Sequence, residues 1–175
     1  RRYVQDLVVL EYDDVESLAW IDEHSDEIAS VYCEPIQNRN PALHPRAFLC
    51  KLRELTLMRG IVLVFDEVVT GFRIGPGGAQ QNLGIRADLV SYGKALGGGM
   101  PVGALGGRAE IMAGVDGGVW RYGDSSAPRG RRTYFAGTAC KHPLVMASVG
   151  AVLDHMLARG HVLYPSLNAK IARLA

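Results

Sequence analysis

Apolar runs alternate with polar or glycine-rich breaks along this chain, and the spacing within each run predicts the element it forms. Leu7 to Leu10 begins strand-like almost at once. From Glu11 to Glu27, Val15, Leu18, Ala19 and Ile21 fall at helical spacing. Ile28 to Glu34 then reads as a strand stopped by Pro35, whose ring disfavours helix in the preceding residue and offers no N–H to a ladder. Pro45 opens a helix in which Phe48, Leu49, Leu52 and Leu55 form the apolar stripe, and Gly60 stands where a C-terminal cap belongs. Ile61 to Phe65 is continuously apolar, as expected of a parallel-sheet strand buried on both faces. Strand, helix and strand in this order predict a right-handed crossover unit.

A glycine-rich loop is expected from Gly71 to Gly84, followed by a short strand over Asp88 to Tyr92. Gly93, Lys94 and the glycines Gly97 to Gly99 come next, and another short strand is expected from Val102 to Leu105. Pro143 starts an amphipathic helix (Val145, Val149, Val152, Leu153, Met156) that Gly160 should end. A further helical pattern, Leu163, Leu167, Ile171 and Leu174, runs to the last residue without a glycine or proline stop. The fold class predicted is α/β, a mostly parallel sheet flanked by helices. Because residue 1 is not Met and the last helical pattern is open, the chain is expected to be an interior piece of a longer one.

Composition narrows the function classes. The 175 residues are 48% apolar and 21% charged with a formal net charge of +1, which argues for a core-forming globular segment and against disorder or a nucleic-acid-coating surface. About one domain is expected from the length. Eight of the eighteen acids lie between Glu11 and Glu27 with no Lys or Arg among them, as on a solvated helix face. No apolar run approaches the roughly 18 residues of a membrane span, and the start lacks a signal-peptide core, so a cytoplasmic location is expected. Cys33, Cys50 and Cys140 are too scattered for a disulfide framework or a zinc knuckle and are expected as reduced core thiols. The five histidines show no ligand spacing, and no metal site is predicted.

In open α/β sheets ligands bind beyond the carboxyl ends of the strands, so polar residues directly after buried runs carry the most weight. Two such places exist: Asp66-Glu67 after Ile61 to Phe65, and Gly93-Lys94 after Leu89 to Tyr92. If the two strands are parallel neighbours, an acid and an amine project into one crevice. Asp66 then either caps the following turn or faces a cationic ligand group. Lys94 is either solvated or, with glycines around it clearing space, an amine nucleophile and base. The glycines fit neither a P-loop nor a dinucleotide fingerprint, and neither a zincin nor a serine-hydrolase motif occurs. Arg129, Arg131 and Arg132 read as an exposed loop, and Thr133 to Thr138, ahead of the Pro143 helix, as a candidate anion-binding turn.

The stretch Val64-Phe65-Asp66-Glu67-Val68-Val69-Thr70-Gly71-Phe72-Arg73, continuing through Ala87-Asp88-Leu89 to Gly93-Lys94-Ala95-Leu96-Gly97-Gly98-Gly99-Met100-Pro101-Val102-Gly103-Ala104, resembles the signature of class III, fold-type-I pyridoxal-phosphate aminotransferases. Gly137-Thr138 to Pro143-Leu144 looks like the family's Gly-Thr turn. Within the family the chain is similar to glutamate-1-semialdehyde aminomutases and to related aminotransferase domains embedded in polyketide and non-ribosomal peptide synthases. Val69 and Arg39 depart from the pattern of ω-amino-acid aminotransferases and support this placement, while the run Glu34 to Pro41 and Cys140-Lys141-His142 look more like the synthase-embedded branch.

The resemblance implies that residues 1–175 are part of the cofactor-binding large domain, with the phosphate cup before residue 1 and the small domain after residue 175, so that the segment alone is inactive. It also implies roles. Lys94 would bond pyridoxal 5′-phosphate and shuttle a proton at the substrate, and Asp66 would pair with the ring nitrogen. Val68, ahead of Val69, would pack on the ring, Glu34 would support Asp66 from behind without meeting the cofactor, and Thr138 would reach the cofactor phosphate of a second subunit. The reaction implied is amino transfer from a small-molecule amino donor to a carbonyl acceptor, which could be a β-keto acyl group on a carrier protein, in a homodimer. Conversion of glutamate-1-semialdehyde to 5-aminolevulinate is the alternative within the family. A non-catalytic dimerising scaffold and a cofactor-independent Schiff-base lyase or aldolase are the alternatives outside it.

Overall fold

The computed structural model describes residues 6–174, and the readings made on the first five residues and on Ala175 lie outside that range. The order of elements is α1 (Val15–Glu23), β1 (Ser30–Cys33), α2 (Arg46–Arg59), β2 (Val62–Asp66), α3 (Gly78–Leu83), β3 (Leu89–Gly93), a 3₁₀ turn (Lys94–Gly97), β4 (Gly103–Gly107), α4 (Ala109–Asp116) and α5 (Pro143–Ala172). The four strands form one sheet in the order β1-β2-β3-β4. The first three are mutually parallel, and β4 returns antiparallel to β3. The predicted α/β architecture is therefore present.

Strand alternation divides the sheet into a sealed face and an open one. Val31, Cys33, Leu63, Phe65, Val90 and Tyr92 point into or against the core, where they meet Phe48, Leu49, Leu52 and Leu55 of α2 and Ala79 and Leu83 of α3. Leu63 and Phe65 are fully buried, each worth roughly 1.5–3 kcal/mol relative to exposure. Burial of β2 on both faces, expected from its unbroken apolar run, does not hold. Val62, Val64 and Asp66 are only half-buried, and their neighbours on that face, Tyr32 and Leu105, are 59% and 48% exposed.

Asp88 fixes where β3 begins. Its carboxylate accepts from both terminal nitrogens of Arg53 (2.6 and 3.0 Å), from the Leu63 N–H (2.9 Å) and from Arg108 (3.2 Å). Burial alone would raise this carboxyl, but those donors hold it down at about 2.

Four local expectations are corrected. Leu7 to Leu10 is extended but pairs with no described strand, and Val9 is almost fully exposed. The loop from Gly71 to Gly84 contains α3. Gly160 does not end the long helix: it lacks the left-handed φ of a capping glycine, and α5 continues through it and Pro165 to Ala172. Of the three cysteines, all free, Cys140 is exposed on the loop ahead of α5 rather than in the core. Cys33 does pack against the core, and burial pushes its thiol up to about 12. No described helix is long and apolar enough to cross a membrane, and no described cluster of His, Cys, Asp or Glu could hold a metal ion.

Candidate active site

Asp66 closes β2 on the open face of the sheet, in register with Ser91 of β3, and Lys94 follows three residues beyond that partner. Because β2 and β3 are adjacent and parallel, the carboxylate and the amine leave the same edge of the sheet. Asp66 Oδ1 accepts from the Val68 N–H (2.9 Å) and the Ser91 hydroxyl (3.2 Å), while Oδ2 accepts from the Tyr32 hydroxyl of β1. Burial would raise the Asp66 carboxyl, yet those three donors and the nearby Lys94 ammonium hold it below the usual carboxylate range. The group therefore stays anionic at neutral pH.

Lys94 is solvent-exposed and adopts φ +43°, a left-handed conformation that costs a non-glycine residue on the order of 1 kcal/mol. The surroundings hold it there. Ser148 of α5 donates to the Gly97 carbonyl (2.8 Å). Gly98, at φ +59°, lies so close to α5 that a Cβ would meet Val152 at 2.7 Å. The turn carrying the lysine is thus clamped by a helix about fifty residues downstream. Beside it is an open groove of about 530 Å³ lined by Arg73, Lys94, Ala95, Gly98, Gly99, Met100 and Pro101. Among the described residues Lys94 forms no salt bridge.

Val68 is brought to the same place. Its methyls lie 3.3 and 3.7 Å from where a Cβ on Gly93 would be, next to the lysine. Glu34 sits just past the end of β1, where its carboxylate accepts from the Asn38 N–H (2.7 Å) and its charge acts on Tyr32, while the donors that touch Asp66 directly are Tyr32, Ser91 and the Val68 N–H. Thr138 lies on the exposed loop ahead of α5, as do Arg129, Arg131 and Arg132, and the loop's backbone bonds at Arg129 and Thr133 run to Gly117 and Gly114 at the end of α4.

Three contributors were not assigned from sequence. Tyr32 and Ser91 could have been found by carrying strand periodicity through the parallel register. Glu67 could not, because its role is tertiary: its fully buried carboxylate accepts from Thr70 Oγ1 (2.9 Å) and from the backbone N–H groups of Ala79 and Gln80, the latter at 3.1 Å. A carboxylate a dozen residues upstream thus caps α3. Gly78, at φ +61°, is required at that helix start, since a Cβ would fall 2.0 Å from Glu67 Oε2.

An α/β sheet carrying an anionic carboxylate and an exposed amine on adjacent parallel strand ends defines the class of protein, and comparison with known families agrees. The class-III aminotransferase family matches residues 5–163, and the chain belongs to that family. It is 42% identical over 166 residues to the glutamate-1-semialdehyde 2,1-aminomutase of Alkaliphilus oremlandii, covering 94% of this chain and 36% of that protein. The aminomutase of Aquifex aeolicus is 44% identical over 170 residues, covering 96% and 37%. Among solved structures, an omega-transaminase from Sphaerobacter thermophilus superimposes with a TM-score of 0.72 at 37% identity, over 89% of this chain and 34% of that one. A transaminase solved with PLP bound gives 0.70 at 33% identity, over 84% and 33%. The chain thus spans little more than a third of the length of the curated relatives it matches.

Proposed function

We propose that the chain forms part of the pyridoxal-phosphate site of an enzyme that moves an amino group from an amino acid donor to a carbonyl acceptor. The observation that carries this reading is the emergence of Asp66 and Lys94 from neighbouring parallel strand ends. The donor set fits the cofactor: a carboxylate kept anionic, a primary amine that forms no salt bridge among the described residues, and the apolar face of Val68 beside the lysine. Pyridoxal phosphate, when bound, supplies an aldehyde that captures amines and a protonated ring that accepts carbanion electrons.

The chain's own residues then divide the work. Asp66 holds a proton at the ring nitrogen. Lys94 Nζ would hold the cofactor at its aldehyde and would serve as the base that takes a proton from the substrate Cα and returns it. Val68 excludes water from one face of the ring. Thr138, on its exposed loop, reaches the phosphate of a cofactor held by a second copy, which makes the working unit a homodimer. Residues 1–175 act as part of the large, cofactor-binding domain, in a cytoplasmic protein.

For the particular reaction, the names of the curated relatives favour the intramolecular exchange that turns glutamate-1-semialdehyde into 5-aminolevulinate. Transfer to a carrier-bound β-keto acyl group rests on the resemblance of Glu34 to Pro41 and Cys140 to His142.

Borohydride reduction of the complete protein carrying these residues, after incubation with pyridoxal phosphate and followed by peptide mass spectrometry, tests the reading. A phosphopyridoxyl mass on Lys94 is expected, together with loss of turnover by about a thousandfold or more in Lys94→Ala. An unmodified Lys94, or biological output unchanged by Lys94→Ala, would leave the scaffold reading in its place. Adduct formation that does not need Asp66 and a reaction that does not need the cofactor would point to a lyase or aldolase.

A further inference from the structure

Asp66 has more donors than a carboxylate waiting for a ligand needs. A carboxylate offers about four acceptor positions, and three are filled: Val68 N–H and Ser91 Oγ on Oδ1, Tyr32 Oη on Oδ2. The free position is therefore on Oδ2, the oxygen that Tyr32 touches. Two of the three donors follow from position alone, since the Val68 N–H belongs to the turn that ends β2 and Ser91 is the register partner of Asp66. Tyr32 is different. It comes from β1, where it is paired with Val64 rather than with Asp66, and must reach along the sheet face to make its bond. Tyr32 is 59% exposed, and Ser91 acts on its hydroxyl besides Asp66.

We infer that Tyr32 is a positioning residue which, through the hydrogen bond it donates to Oδ2, sets how strongly Asp66 holds a proton on the ring nitrogen of the cofactor. The inference rests on the cofactor reading given above and deepens it. A donor on the same oxygen withdraws charge from the lone pair that would face the ring, so Asp66 binds the N–H less tightly than a bare carboxylate would. The same contact fixes the rotation of the carboxyl group, so the free lone pair has one direction. The titratable and polar groups facing Asp66 are Tyr32 from β1, Ser91 from β3 and Lys94 from the turn beyond it, with Glu34 acting on Tyr32 from the end of β1. Among these, only Tyr32 combines a mobile hydroxyl with contact to Oδ2.

The test uses Tyr32→Phe in the complete protein, which keeps the ring and removes the hydroxyl. In the cofactor-free protein, ¹³C NMR of the Asp66 carboxyl should show its titration moved upward by about half to one pH unit. In protein loaded with ¹⁵N-labelled pyridoxal phosphate, the ring-nitrogen signal should lose its proton at a higher pH than in the unaltered chain, by a similar interval, while the borohydride-trapped adduct on Lys94 remains. Absence of both shifts would overturn the inference and leave Tyr32 a surface residue. A carboxyl shift without any Lys94 adduct in the unaltered chain would instead show that the cofactor reading has failed while the Tyr32–Asp66 bond is real, and the role assigned to Tyr32 would fall with it. Should the variant not fold, the deuterium isotope shift that Tyr32 Oη–H exchange imparts to the Asp66 carboxyl carbon reads the same bond in the unaltered chain, and its absence overturns the inference.

Discussion

Asp66 and Asp88 stand at opposite ends of the same two strands, and each has positive charge nearby, but the protein treats them differently. Asp88 is 3% exposed, gripped by two nitrogens of Arg53, by Arg108 and by the Leu63 N–H. Even the groove of about 400 Å³ beside it, lined in part by Arg53, Arg86, Asp88 and Arg108, has its central charges paired within the protein. Among the described residues Asp66 receives only neutral donors, and the cation that acts on it, Lys94, forms no salt bridge. A carboxylate that serves the fold is closed by ion pairs made inside the protein. One that serves a ligand is kept anionic by hydrogen bonds and leaves its charge unspent.

Breaking Asp88 should have the largest effect on stability. Asp88→Asn leaves the largely buried Arg53 without its counter-charge and weakens Arg108, so a loss of about 3 kcal/mol is expected in urea denaturation. The pH dependence carries a sign. Because the folded-state carboxyl lies near 2, below its ordinary 3.8, its contribution is complete above the ordinary value and disappears as pH falls through about 2. In the unaltered chain, stability should therefore fall by about 2 kcal/mol between roughly pH 4 and pH 2 through this group, and in Asp88→Asn that part of the slope should be missing. A variant as stable as the parent would mean that the ion pairs contribute nothing, and the distinction between the two aspartates would lose one side.

Glu67 sharpens the same contrast because it is the neighbour of Asp66 in sequence yet lies on the sealed side. Replacing it with Gln keeps the volume but turns an NH₂ toward donors, since every described partner of this carboxylate is an N–H or a hydroxyl. A loss of about 2 kcal/mol is expected, with hydrogen-exchange protection falling first at Ala79 and Gln80. Unchanged protection at those two amides would show that α3 is held by packing of Ala79 and Leu83 alone.

How much of this could be read from the residues follows from the range of the forces involved. The α2 stripe, its Gly60 cap at φ +69° and the apolar run of β2 are set by neighbours in sequence, and the pattern displays them. The Asp66–Lys94 pairing needed one more assumption, that β2 and β3 are parallel neighbours, which the register satisfies. What stayed hidden depends on distant partners. The first turn of α3 is capped by Glu67, and the left-handed Lys94 is held by Ser148 and the close approach of Val152. The contact of Glu34 with the Asn38 N–H was hidden for a related reason. Alternation correctly puts Tyr32 on the face of Asp66, but past Cys33 the strand has ended, and beyond its end alternation no longer says where a side chain points.

Asp66→Asn separates a fold carboxylate from a ligand carboxylate most sharply, because its expected effect on stability is the smallest of the three. The amide keeps an oxygen for the Val68 N–H and the Ser91 hydroxyl, and its NH₂ can face Tyr32, whose hydroxyl is able to turn and accept. No ion pair is broken and no buried cation is left behind, so the change in unfolding free energy should stay within about 1 kcal/mol at neutral pH. The charge, however, is gone. Because the folded Asp66 carboxyl lies below its ordinary value, the small stabilisation it provides exists only above that value, and the unaltered chain should converge on the variant as pH drops. Affinity for pyridoxal phosphate, measured by fluorescence titration, should weaken tenfold or more, since an amide cannot hold the ring nitrogen's proton by charge. If Asp66→Asn proved as destabilising as Asp88→Asn while cofactor affinity held, the open end of the strands would be a second structural clasp and not a site.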